Sequence, residues 1–135
     1  MKTRELYLRD ALSEAINRPI LPIEDEYSRF DAYDMNDNIY ELKVRGGYYE
    51  NVLIEFDKFS YNIMYAETFE YTFLYVVQME GMGYVFDISA LYNEGHNFGW
   101  ENRSMPKQTE FSSTHSIYKV IGYVNIEDTI FAFKI

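Results

Sequence analysis

The chain has 135 residues, 47% of them hydrophobic and 19% aromatic, which is enough apolar material for one folded domain and argues against a disordered chain. Its formal net charge is −10, so a broadly basic nucleic-acid surface is excluded and any phosphate site must be a local cluster. The absence of cysteine rules out disulfides and thiolate metal sites and is compatible with a cytoplasmic setting, while no apolar run is long enough to span a bilayer.

The opening Met-Lys-Thr-Arg-Glu-Leu lacks the apolar core of a secretory signal. Thr3 to Asn17 predicts a helix. Thr3 is its candidate N-cap, Leu8, Leu12, Ala15 and Ile16 form an apolar stripe, and Pro19 ends it. Two prolines make Arg18–Ile23 an extended link. A hairpin is expected next, with one strand over Ser28–Tyr33 and the other over Ile39–Val44. The residues between them, Asp34-Met-Asn-Asp-Asn38, favour turns through local side-chain bonds.

Seven of the eighteen residues from Glu24 to Glu41 are acidic, against one basic residue, Arg29. Such density either attracts a cation or makes a solvated acidic face. A calcium loop is excluded, because Ile39 stands where glycine is needed and Arg45 where the bidentate glutamate should be.

Gly46-Gly47 predicts a turn but not a phosphate loop, since no Gly-Lys-Ser/Thr ending follows. Val52–Glu55 reads as a short strand. A helix is expected from Lys58 to Glu67, with Asp57 as cap. Tyr71–Met79 is nearly continuous in apolar, β-favouring residues, the pattern of a central strand buried on both faces. Glu80–Gly83 turns it into a second strand, Tyr84–Ile88, on which Asp87 is assigned no role.

Tyr92–Ser113 predicts a long polar loop. Trp100, the only tryptophan, either plugs this loop onto the core or stacks on a base. His96 and His115 have no partner spacing for metal or catalysis. Ser116–Val124 and Thr129–Ile135 complete the strands. The expectation is a single α+β domain over residues 1–135, with a mixed sheet of about six or seven strands and two helices.

The chemistry lies in the hairpin. Side chains alternate along a strand, so Glu41 and Lys43 share a face. If Asp31 pairs with Glu41, both carboxylates lie on that face with Cβ atoms ~5 Å apart. A one-residue slip would turn Asp31 away, and Asp34 is the rival ligand near the turn. Two carboxylates and an ammonium so placed can hold a divalent cation and steady an activated water. A solvated face with weak ion pairs is the plainer alternative.

An Asp, a turn, then Glu-x-Lys on the next strand resembles the PD-(D/E)xK nucleases. The pattern here is Asp31 (or Asp34), Glu41 and Lys43, continued by Arg45, the segment Asn51–Glu55 and Lys58 opening a helix. It is most similar to the small phage and viral members, over about Ser28 to Glu80. The proline that gives the family its first letter is missing before Asp31.

The resemblance implies a restriction-endonuclease-like core of helix, three strands, helix and strand, and hydrolysis of DNA, duplex or branched, with Mg²⁺ or Mn²⁺. Asp31, Glu41 and Lys43 would be catalytic, with Asp31, Glu41 or Asp34 on the metal. In some relatives a carboxylate on the first helix assists, for which Glu14 is the candidate. Arg45, Lys58, Arg103 and Lys107 would contact DNA if folding brings them to one rim. The setting would be the cytoplasm, that of a host if the chain is phage-encoded, with a homodimer or a protein partner. The alternative function is a non-catalytic acidic binding or assembly protein of phage type on the same fold.

Overall fold

A computed structural model describes residues 1–25, 27–106 and 116–135. The chain runs α1 (Thr3–Ile16), β1 (Ile20–Pro22), β2 (Ala32–Asp34), β3 (Asn38–Val44), β4 (Asn51–Glu55), α2 (Phe56–Phe69), β5 (Thr72–Met79), β6 (Met82–Asp87), α3 (Ile88–Asn93), β7 (Glu101–Pro106), β8 (Ser116–Asn125), a 3-10 turn (Ile126–Asp128) and β9 (Phe131–Lys134). The described strands form two sheets. One has six strands in the order β1-β2-β3-β5-β6-β9, and the other has three, β4-β8-β7. All described pairings are antiparallel except β3 with β5, which is parallel and needs the α2 crossover to join its strands.

The molecule is layered. On β3 and β5, Tyr40, Leu42, Leu74 and Val76 face α1 and pack against Leu8 and Leu12, four residues apart on that helix. The alternate residues, Ile39, Phe73, Tyr75, Val77 and Met79, face the other way. They meet Phe59, Ile63 and Ala66 of α2 and Val52, Ile54 and Val124 of the small sheet. β5 is thus buried on both faces, as its continuous apolar run predicts.

Several expectations are corrected. The single sheet is two, because β4 leaves β3 and pairs with β8 some 70 residues later in register Asn51↔Asn125 to Glu55↔Ile121. The described helices are three. Asp87 ends β6 and its carboxylate accepts from the Ala90 amide at 2.9 Å, capping α3. The link before the hairpin holds β1, whose Pro22 is tolerated because β1 is an edge strand. The polar loop after α3 contains β7. Helix α1 has Lys2, not Thr3, at its N-cap, and α2 starts at Phe56 after Glu55, not behind Asp57.

Trp100 does plug its segment onto the core, packing on Phe56, Phe59 and Phe98 with ring centroids 4.9, 4.8 and 5.2 Å away. Gly122 makes room for it. A Cβ there would stand 2.7 Å from the indole and 2.8 Å from the Phe98 carbonyl oxygen. Among the described residues no helix is long and apolar enough to cross a membrane.

Candidate active site

Alternation along β3 decides which groups meet. Tyr40 and Leu42 point to α1, so Glu41 and Lys43 point to α2 and the small sheet. Asp31 reaches the same region from just before β2. Its N–H donates to the Tyr40 carbonyl at 2.7 Å, and its carboxylate Oδ2 accepts from the Leu42 amide at 2.7 Å. Burial raises the Asp31 pKa and the Leu42 bond lowers it, with a net rise.

Glu41 is the most unusual group in the region. It is 2% exposed, and its Oε1 has no hydrogen-bond partner among the described residues. Oε2 lies 3.9 Å from Lys58 Nζ at the start of α2. Burial pushes its pKa up, Lys58 pulls it down, and the nearby carboxylates of Asp31 and Glu55 push it up again, to about 7. Lys43 moves the other way. Burial, with Arg45 and Lys58 nearby, lowers its pKa against the pull of Glu55 and Glu41.

Two residues absent from the expected site belong to it. Glu55, at the end of β4, accepts from Lys119 Nζ at 2.6 Å and lies 3.9 Å from Lys58. Burial would raise its pKa, but the Lys119 bond and charge hold it below the ordinary glutamate range. Lys119 comes from β8. Nothing in the local sequence connects it to Glu55; only the β4–β8 pairing does. Arg29, Lys58 and Lys119 line a cleft of about 100 Å³ with Glu55 and Asp57.

The other candidates fall as follows. Arg45 is tethered at the seam between the sheets. Its side chain donates to the Leu53 carbonyl at 3.4 Å, the same oxygen that accepts from the Tyr75 hydroxyl at 3.0 Å. Arg103 stands opposite Lys119 in the β7–β8 register and donates to the Tyr123 hydroxyl at 3.1 Å. Lys107 and His115 lie outside the described residues. His96 Nε2 lies 3.2 Å from the Tyr123 carbonyl, remote in role from the carboxylates. Glu14 is exposed on α1, in the layer on the far side of the large sheet.

Asp34, the rival candidate ligand, is engaged elsewhere, on the side of the hairpin that faces away from Glu41. It shares the Tyr40 side of the hairpin. Its oxygens accept from the Tyr40 hydroxyl (2.6 Å), Asn38 Nδ2 (3.0 Å), the Asn36 and Asn38 amides (2.8 and 3.2 Å) and Arg18 (3.3 Å). Burial pushes its pKa up, but these bonds outweigh it and hold the carboxyl below the ordinary range. Asp34 locks the turn.

Among the described residues no three His, Cys, Asp or Glu side chains are placed to enclose a metal by themselves. What converges is the pair Asp31 and Glu41, with Lys43 and Lys58 beside them. Compared with known proteins, the chain matches no family model, no curated protein and no solved structure.

Proposed function

We propose that the seam between the sheets is a phosphodiester-hydrolysing site and that the chain is a metal-dependent DNA nuclease. The observation that carries this reading is the buried Oε1 of Glu41, which has no hydrogen-bond partner among the described residues. A buried carboxylate oxygen without a partner is costly to keep, and a ligand that supplies positive charge removes the cost. The order of elements adds support. Helix α1, strands β1–β3, helix α2 and strand β5 come in the order that the resemblance implies, apart from a fourth strand, β4, that stands between β3 and α2.

The donor set fits a hard divalent cation. Mg²⁺ keeps several waters and takes one or two carboxylates, which Asp31 and Glu41 would supply. When bound, Mg²⁺ or Mn²⁺ would lower the pKa of a water and offset phosphate charge. The Leu42 amide fixes the orientation of Asp31. Lys43, two residues along β3 from Glu41 and on the same face, would hold the attacking water or, as the ammonium, the charge that develops on phosphorus-bound oxygen. Lys58, freed from Glu41, would take a phosphate oxygen.

Incubation of the protein with labelled duplex, branched and single-stranded DNA in Mg²⁺ or Mn²⁺ tests this. Cutting is expected that chelator stops and that Glu41→Ala or Lys43→Ala reduces by about 10² or more, the cost of losing one group of such a site. Cutting that survives either substitution overturns the assignment. A second reading, a non-catalytic acidic binding or assembly protein, is favoured by the net charge of −10 and by exposed tyrosines such as Tyr27 and Tyr118. It predicts no cutting of any substrate.

A further inference from the structure

On the side of α2 away from Glu41 lies a solvent-open cavity of about 500 Å³, walled by the rings of Phe59, Tyr92, Phe98 and Trp100. The rings hold one another in place. Phe59 sits 5.9 Å from Tyr92, 4.9 Å from Phe98 and 4.8 Å from Trp100, centroid to centroid. A second cavity of about 300 Å³ adjoins it, sharing Ile63, Glu67 and Tyr92 and adding Glu70 and Tyr71. Together they make a trough in which Glu67 lines both cavities and Glu70 the second.

Its charge is one-sided. No lysine or arginine occurs anywhere in residues 59–102, the span that supplies most of the trough. His96 adds no donor that a ligand could use in its neutral form. Its Nε2 faces the Tyr123 carbonyl and must carry the proton there, which leaves Nδ1 an acceptor. Phe59 and Phe98 are buried and back the wall, whereas Tyr92 is exposed and Trp100 half-buried, so the described lining offers the ring faces of Tyr92 and Trp100 together with acceptors. Phosphate would be repelled by Glu67 and Glu70, and a wholly apolar segment would bury their charge without a partner. An organic cation satisfies both features, because it is drawn to ring faces and pairs with carboxylate.

We propose that this trough receives an arginine or lysine side chain from a basic segment of a partner protein. A guanidinium stacks on the rings while its fork reaches Glu67, and a neighbouring basic residue meets Glu70. Such a partner would lend positive charge to a chain of net charge −10. The proposal is independent of the hydrolytic reading.

Trp100, the sole tryptophan, is a reporter built into the wall. The full chain is titrated with a capped heptapeptide of alternating arginine and leucine, with the glutamate–leucine counterpart and with adenosine monophosphate, and Trp100 emission is followed. A saturable change is expected for the arginine peptide alone. Glu67→Lys should weaken it by about tenfold. Glu14→Lys makes the same charge change on the exposed face of α1, across the large sheet, and should leave the affinity as in the unaltered chain. Equal weakening by Glu67→Lys and Glu14→Lys would reduce the binding to diffuse attraction and overturn the proposal. So would a response to the nucleotide or the acidic peptide instead, or no saturable response at all.

Discussion

Glu41→Gln is expected to stabilise the metal-free protein at pH 8 by on the order of 3 kcal/mol while abolishing metal-dependent cutting. Burial raises the Glu41 pKa to about 7 in the fold, against an ordinary value of 4.5. The folded state therefore holds this proton more tightly than the unfolded state does. The stabilisation that goes with protonation is complete below about pH 4.5 and is lost as pH rises through about 7. Glutamine mimics the protonated form at every pH. Urea denaturation in chelator should show the variant and the unaltered chain nearly equal at pH 4.5 and well separated at pH 8. A gain in stability coupled to a loss of activity is the signature of a group kept for chemistry at a cost to the fold. Equal stabilities at pH 8 would mean that Glu41 is not strained in this way.

Asp34→Ala should do the opposite, costing about 3 kcal/mol at pH 7. The substitution takes the acceptor from the buried Tyr40 hydroxyl and from both donors of Asn38, and leaves Arg18 unpaired. Unmet donors at a buried site bear their full desolvation cost. Because the folded Asp34 pKa is depressed below 3.8, its contribution is complete above that value and fades as pH falls through the folded pKa. The gap between the two proteins in urea denaturation should therefore narrow in strong acid. The folded fraction of the variant should keep the divalent-cation binding proposed for Asp31 and Glu41, which separates a turn-locking carboxylate from a ligand.

These two residues show what could be read in the sequence and what could not. Alternation along Ile39–Val44 placed Glu41 and Lys43 on one face correctly, because strand period is a local property. The choice between Asp31 and Asp34 was not legible. It depends on the Ala32↔Tyr40 register and on the bonds that Tyr40 and Asn38 make, neither of which the turn sequence fixes. The apolar run of β5 announced a central strand, but Val52–Glu55 gave no sign of joining a different sheet, since pairing with β8 is a long-range choice. With that pairing hidden, the Glu55–Lys119 contact was hidden too. β7 carries no local signal, because Glu101-Asn-Arg-Ser-Met-Pro106 has no regular apolar alternation. α3 had a readable signal, Asp87 three residues before Ala90, which is an N-cap spacing.

The central claim is that Asp31 and Glu41 form a cation site, and a measurement that needs no choice of DNA substrate tests it. Mn²⁺ is titrated by calorimetry at pH 8 into the unaltered chain, Asp31→Asn, Glu41→Gln and Asp34→Asn. The account predicts saturable Mn²⁺ binding that Asp31→Asn and Glu41→Gln each remove and that Asp34→Asn retains. Binding that persists in Glu41→Gln, or that disappears only in Asp34→Asn, would contradict it.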